Sequence, residues 1–158
     1  MTELGPLTGI IGKLLITSSF LFCLLSLIYY FIAAKNDDEK KLKIGNWLFV
    51  IKGFFMIAAS AVLVMLLFQH QFQYYYVFNY TSLDLAPKYI WSAFYGGQEG
   101  SFMLWIIFSW VAGLGLMKWT RAPYKAPVLF FLGLTQLFLI FMIVKAPITA
   151  KLPNIQHF

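Results

Sequence analysis

Four long apolar runs alternate with short polar or charged segments along the chain. The runs cover approximately residues 13–34, 47–68, 102–117 and 127–144. A membrane-spanning helix needs about 20 mostly apolar residues, because an unpaired backbone polar group is costly in hydrocarbon. The pattern therefore predicts an all-α membrane protein with about four transmembrane helices in a single membrane domain. The segment SAFYGGQEGS precedes the short third run and predicts that its helix begins several residues earlier.

The first run has a competing interpretation as a secretory signal peptide. It is about twice as long as the apolar part of a typical signal, and no basic segment precedes it. No AxA-like cleavage site follows it. These features favour a spanning helix.

Composition agrees with a membrane location. The chain is 61% hydrophobic and 11% charged, whereas soluble domains are about half apolar and a quarter charged. The net charge of +6 does not indicate nucleic-acid binding, because the basic residues lie in short clusters between the apolar runs. The chain contains one cysteine, Cys23, and no CxxC or CxxCH motif, so no metal or covalent haem site is predicted.

The basic residues are distributed unequally between the two ends of the predicted helices. One side holds Lys35, Lys40, Lys41, Lys43, Lys118, Arg121 and Lys125, and the other holds Lys88, Lys145 and Lys151. The positive-inside rule then places both short loops in the cytoplasm. The N-terminus, the long loop at residues 69–101 and the C-terminal tail are expected outside.

The long loop is unusually aromatic for a solvated connection and is expected to lie on the membrane. Asp84 is a plausible helix cap and Pro87 suits a first turn, so DLAPKYIWSAFY predicts a short interfacial helix. Its aromatic residues have two interpretations, a belt that anchors the protein or a platform for a flat apolar ligand. The residues of the candidate platform are Tyr89, Trp91, Phe94 and Tyr95.

The segment GGQEGS joins this loop to the third run. Its glycines permit tight turns, Ser101 is a candidate cap, and a helix N-terminus favours an acid such as Glu99. A phosphate-binding loop is excluded, because no strand precedes the segment and no GKS or GKT ends it. Capping and a functional charge remain equal alternatives for Glu99.

Small and polar side chains inside the apolar runs offer helix-packing surfaces. They are Ser19, Cys23, Ser26, Ser109 and Gly113. Gln136 in the fourth run requires a hydrogen-bond partner, which is expected from another helix or subunit. Contacts among the four helices themselves are an equally good interpretation of these positions.

The stretch YGGQEGSFMLW resembles the WGxxEGSxxLW signature of CcmF-type cytochrome c maturation haem lyases, within the wider CcmF/CcsA haem-handling superfamily. The motif residues are Gly96, Gly97, Gln98, Glu99, Gly100, Ser101, Leu104 and Trp105. Tyr95 stands where the family has tryptophan. The exit APITAKLP is similar to the family's NPFxxxLP, and the resemblance extends over nearly the whole chain.

The resemblance implies an N-terminal portion of a larger haem lyase. It covers about the first quarter of a family member, and the family's tryptophan-rich haem segment and haem-ligating histidines are expected beyond Phe158. In the family, the complete protein takes haem from a haem chaperone and attaches it to apocytochrome c with partner membrane subunits. Haem is thus implied as a substrate or cofactor of the complete assembly, and no haem ligand is carried over to this chain.

Two histidines remain as candidates for a direct haem contact. His70 follows the second apolar run and His157 lies in the C-terminal tail, but an axial ligand must face an enclosed apolar pocket. His70 is the better candidate, although a lone interfacial histidine is more often a belt residue.

The predicted function is therefore a part in cytochrome c biogenesis, as a subunit or fragment of a haem lyase in the bacterial inner membrane. Another chain would supply the haem-binding portion, so the chain is not expected to be catalytic alone. The alternative is a non-enzymatic membrane scaffold or transporter subunit that uses the aromatic loop to hold a partner.

Overall fold

The computed structural model describes residues 4–82, 87–121 and 123–146, and this part of the chain contains six helices. The helices are α1 (Leu4–Asn36), α2 (Glu39–Phe68), α3 (Tyr75–Tyr80), α4 (Pro87–Gly96), α5 (Gln98–Trp119) and α6 (Lys125–Lys145). The helices α1, α2, α5 and α6 are long and apolar enough to cross a membrane. The prediction of an all-α membrane protein with four spans is confirmed.

The long helices extend beyond the apolar runs that predicted them. α2 begins at Glu39 because the Asp38 side chain accepts hydrogen bonds from the backbone N–H groups of Lys40 and Lys41, at 2.9 and 3.3 Å. This is the geometry of an N-cap, which allows the charged residues before the run to join the helix. α5 begins at Gln98, as the sequence predicts for a start before Phe102.

The four spans form a closed ring in which each helix packs against two neighbours. The order around the ring is α1, α2, α5, α6 and back to α1. Between α2 and α5, the Trp110 indole donates a hydrogen bond of 3.0 Å to the Phe49 carbonyl. A Cβ at Gly53 would collide with the Trp110 ring. A side chain at Gly53 would therefore separate α2 from α5.

The two ends of the ring differ in their connections. At the end that we call the basic end, α1 turns into α2 through Asp37 and Asp38, and residues 120–124 join α5 to α6. Asp37 adopts a left-handed conformation with φ of 51°, which aspartate tolerates better than most residues. At the opposite end, the motif end, the short helices α3 and α4 lie between α2 and α5 along the chain.

The short helices partly match the prediction for the aromatic loop. α4 begins at the predicted first-turn residue, Pro87, and packs against α2 and α5. The candidate cap Asp84 and the exit segment from Pro147 onward lie outside the described residues. α3 was not predicted, and its Tyr76 and Val77 are buried.

Candidate functional site at the corner between α4 and α5

The motif GGQEGS forms a sharp corner between two helices. α4 ends at Gly96, α5 begins at Gln98, and Gly97 between them has an extended backbone with φ of −81° and ψ of 150°. Gly97 is the N-cap residue of α5 and receives no side-chain cap. We call residues 94–101 the corner.

Side chains satisfy the carbonyl groups that α4 exposes at the corner. The Tyr76 hydroxyl donates a hydrogen bond of 2.8 Å to the Phe94 carbonyl, and Ser101 Oγ donates one of 2.6 Å to the Tyr95 carbonyl. The last carbonyls of a helix have no partner within the helix, so these bonds replace water there. The prediction that Ser101 caps the start of α5 is wrong. Ser101 lies inside α5 and binds the end of α4, because Gly97 already occupies the N-cap position.

Two of the three motif glycines are required by close packing. A Cβ at Gly97 or at Gly100 would collide with the Tyr76 hydroxyl, and one at Gly100 would also overlap the Phe94 carbonyl. Gly96 differs, since a Cβ there meets nothing within 4 Å. The corner is therefore a close-packed joint between Tyr76 and the ends of both helices.

Glu99 lies in the first turn of α5, as predicted, where the helix dipole favours a negative charge. The residue is half-buried, and its Oε2 atom is buried without a hydrogen-bond partner among the described residues. The pKa of the nearby Tyr76 phenol is raised above its ordinary value, first by burial and next by the charge of Glu99. The corner thus contains a carboxylate with one unused acceptor atom beside a neutral phenol.

The structure divides the candidate aromatic platform. Tyr89, Trp91 and Tyr95 are each at least half exposed, whereas Phe94 is only 5% exposed and belongs to the core. Trp91 packs edge-on against Phe68 at the end of α2, with ring centroids 6.1 Å apart. Three of the four residues are therefore available to a ligand, a partner or lipid, and Phe94 is not.

The remaining motif residues lie at the surface. Gln98 is exposed at the start of α5, and Trp105 is 65% exposed two turns further along the same helix. Neither side chain takes part in the packing between Tyr76 and the corner glycines.

The described residues do not fit a haem site. His70 has φ of 48°, and its Nδ1 atom lies 3.2 Å from the Phe68 carbonyl. Its Nε2 atom is covered by protein without a hydrogen-bond partner in the described part of the chain, so neither ring nitrogen faces an open axial position. No group of three or more histidine, cysteine or acidic residues that could hold a metal occurs within the described ranges. His157 lies outside them.

A second polar cluster lies in the middle of the bundle, and its central residue, Lys52, was not predicted as a site from the sequence. Lys52 belongs to α2 and is only 1% exposed. Its Nζ atom donates hydrogen bonds to Gln136 Oε1 of α6 and to Cys23 Sγ of α1, and it lies 4.1 Å from the centroid of the Phe49 ring. A lysine inside an apolar run could have indicated this cluster from the sequence, because ionisable residues are rare and costly in the membrane.

The cluster connects all four spans. Gln136 Nε2 donates a hydrogen bond of 2.8 Å to Ser109 Oγ of α5, and Ser19 Oγ of α1 donates one of 3.1 Å to the Lys52 carbonyl. The partners of Gln136 therefore come from other helices of the same chain. We call Ser19, Cys23, Lys52, Ser109 and Gln136 the polar junction.

Comparison with known proteins supports the fold. No protein-family model matches the sequence, and none of the curated proteins matches it. The chain is similar to a solved structure of the cytochrome c haem lyase CcmF, with a TM-score of 0.83 and 22% sequence identity over 89% of this chain. The matched region is 24% of that protein, so the chain spans about a quarter of its length. The likeness shows a shared fold and confirms the resemblance that the motif indicated.

Proposed function

We propose that the chain takes part in cytochrome c biogenesis as one portion of a membrane haem lyase. The observation that carries this proposal is the CcmF-like fold over 89% of the chain, with the motif GGQEGS built into a defined corner. The match covers 24% of the haem lyase, which is the reason to expect further chain segments in the working assembly.

The proposed role of this portion is structural support for haem handling. The haem-binding portion is proposed to come from another chain, since the likeness covers only 24% of the solved haem lyase. The exposed aromatic residues of α4, Tyr89, Trp91 and Tyr95, are proposed to meet that portion or its haem. The partners are then the remaining haem lyase subunits, with a haem chaperone and apocytochrome c reached through the complete assembly.

The proposed location is the bacterial inner membrane, with the N-terminus, the aromatic loop and the motif end on the periplasmic side. Seven of the basic residues flank the turns at the opposite end, and a positive-inside arrangement places that end in the cytoplasm. Fusion of a reporter enzyme to the α1–α2 turn and to the segment between α3 and α4 tests this topology.

The test of function is deletion of the coding sequence in its host, followed by haem staining of c-type cytochromes in membranes. We expect the covalently haem-bound cytochromes to disappear and to return when the wild-type chain is supplied. The purified protein is expected to bring with it a larger, haem-containing partner. Normal cytochrome maturation in the deletion strain would refute the proposal.

The second candidate function is a non-enzymatic membrane scaffold or transporter subunit. The exposed aromatic residues of α4 favour it, because exposed apolar side chains suit any apolar partner. Intact cytochrome maturation together with loss of a different membrane complex in the deletion strain would support this alternative.

Glu99 provides a finer test within the leading proposal. A carboxylate that only caps α5 is replaceable by glutamine, with loss of a charge term of about 0.3–1 kcal/mol. The unpartnered Oε2 atom favours a role for the charge in meeting a substrate or partner. We therefore expect Glu99→Gln to reduce cytochrome maturation while the amount of protein in the membrane stays unchanged. Full maturation in this variant would assign Glu99 to capping.

A further inference from the structure

A cavity of about 720 Å³ lies at the basic end of the bundle, far from the motif. It is open to solvent on one side and lies between the end of α1, the start of α2 and the start of α6. Its charged lining residues are Lys35, Lys43 and Lys125 together with Asp37, Asp38 and Glu39. The volume is in the range of small-molecule sites, about 300–1,000 Å³.

We expect the cavity to lie at the depth of the lipid headgroups. The three helix ends that line it are ends of helices long and apolar enough to span a membrane. Trp119 ends α5 and Tyr124 precedes α6 at the same end, and both side chains are more than two-thirds exposed. Exposed tryptophan and tyrosine at helix ends are typical of the boundary between hydrocarbon and headgroups.

The charges of the lining are of both signs and are not paired with one another. Within the described part of the chain, Lys35, Lys43 and Lys125 form no ion pair, and the carboxylate of Asp38 pairs with Lys41, which does not line the cavity. Unpaired basic groups between membrane helices suit a lipid phosphate. The carboxylates of Asp37 and Glu39 repel a purely anionic headgroup but accept hydrogen bonds from an ammonium group.

We propose that this cavity binds the headgroup of a phospholipid that carries a phosphate next to a primary ammonium group, as phosphatidylethanolamine does. The lysines bind the phosphate, and Asp37 and Glu39 accept the ammonium N–H groups. A choline headgroup has no N–H to donate, and a glycerol headgroup has no cation, so the site distinguishes among the three. The inference stands apart from cytochrome biogenesis.

The test is native mass spectrometry of the delipidated full chain, supplied with equal amounts of phosphatidylethanolamine, phosphatidylcholine and phosphatidylglycerol. We expect phosphatidylethanolamine to be retained about tenfold more than either competitor, because one additional hydrogen bond to a charged group increases the affinity by about this factor. Lys43→Ala/Lys125→Ala is expected to remove this retention. Lys40→Ala/Lys118→Ala removes the same charge at exposed positions outside the lining and is expected to leave it unchanged.

A second pair of substitutions tests the acidic half of the site. Asp37→Asn/Glu39→Gln leaves the helix cap Asp38 in place and is expected to shift the preference towards phosphatidylglycerol. Equal retention of all three lipids, or equal losses in the two lysine pairs, would overturn the proposal. Displacement of the lipid by water-soluble phosphoethanolamine at millimolar concentration would also overturn it, by showing a site for a soluble phosphate ester. Circular dichroism of each variant confirms that it is folded.

Discussion

The corner and the polar junction both bury polar groups, but they do so in opposite ways. At the corner, side-chain hydroxyls bind backbone carbonyls of a neighbouring helix end, and the residues concerned lie between positions 76 and 101. In the junction, the bonds of Lys52 and Gln136 join side chains of different helices, and Ser19 binds the backbone carbonyl of Lys52. The corner therefore shapes one local joint, whereas the junction holds all four spans in register.

This difference separates local from global effects of substitution. Losing a corner contact disturbs α3 and α4, which lie outside the ring of spans. Losing a junction contact leaves a polar group buried among four helices, where water cannot replace the missing partner. Variants at the two sites are thus expected to differ in how far through the molecule their effects extend.

The largest effect on stability is expected for Gln136→Leu. Lys52 Nζ stays buried but loses its oxygen acceptor, so the free energy of unfolding falls by about 2–3 kcal/mol. Unfolding in sodium dodecyl sulfate, followed by circular dichroism, measures this change. Thr135→Ala is the control, since Thr135 is exposed and bonds only to its own helix at Phe131.

The junction also predicts non-additive effects. In Lys52→Met/Gln136→Leu both partners become apolar, and no buried donor is left without an acceptor. The double variant is therefore expected to be more stable than Gln136→Leu alone. Simple addition of the two single effects would show that Lys52 and Gln136 are not coupled.

At the corner, Gly100→Ala is expected to cost about 2 kcal/mol by overpacking, because its Cβ meets the rigid Phe94 carbonyl. Amide hydrogen exchange of residues 89–101 should accelerate while the centres of the spans remain protected. Gly96→Ala provides a matched control with open space around its Cβ. If the two alanine variants behave alike, the corner is not close-packed around Gly100.

A smaller effect is expected for Tyr76→Phe, which removes the hydroxyl bound to the Phe94 carbonyl. The expected cost is about 1 kcal/mol, the typical net value of one hydrogen bond. Tyr75→Phe, at an exposed position of the same helix, is expected to cost almost nothing. Hydrogen exchange in α4 distinguishes the two variants, and equal protection in both would argue against the Tyr76 bond.

The smallest effect concerns pH. Burial and the charge of Glu99 raise the pKa of Tyr76 above its ordinary value, so the unfolded chain loses this proton first as the pH rises. The contribution of the protonated Tyr76 to the free energy of unfolding is complete below about pH 10 and is lost as the pH rises above that value. A difference titration of wild type against Tyr76→Phe, read as phenolate absorbance, should show no ionisation of Tyr76 near pH 10. Ionisation at the ordinary value would place this phenol in solvent.

The sequence predicts the two sites unequally, for physical reasons. The four spans follow from the apolar runs. The early start of α5, with Glu99 in its first turn, follows from the segment SAFYGGQEGS before the third run. The prediction that Ser101 caps α5 is wrong because the N-cap is the one residue with an extended backbone directly before the helix. The run contains three glycines that can adopt this conformation, so the sequence alone does not identify the N-cap residue. α3 was not predicted because its six residues are mostly aromatic and are too few to show the periodic spacing of apolar residues that indicates a helix.

Lys52 escaped prediction for a different reason. One lysine hardly lowers the mean hydropathy of a thirty-residue helix such as α2. Its partners Cys23 and Gln136 are distant in sequence, so no local pattern connects them. The small and polar residues of the spans were recognised one by one, but only the three-dimensional arrangement brings them together.

Trp110, whose indole binds the Phe49 carbonyl, can serve as an intrinsic fluorescence probe of the bundle. Of the five tryptophans, Trp110 is 7% exposed, and the other four are all more than half exposed. A quencher dissolved in the lipid phase reaches those four and leaves the hydrogen-bonded indole emitting. The unquenched emission therefore reports on the α2–α5 contact alone, and opening of the bundle can be followed without any added label.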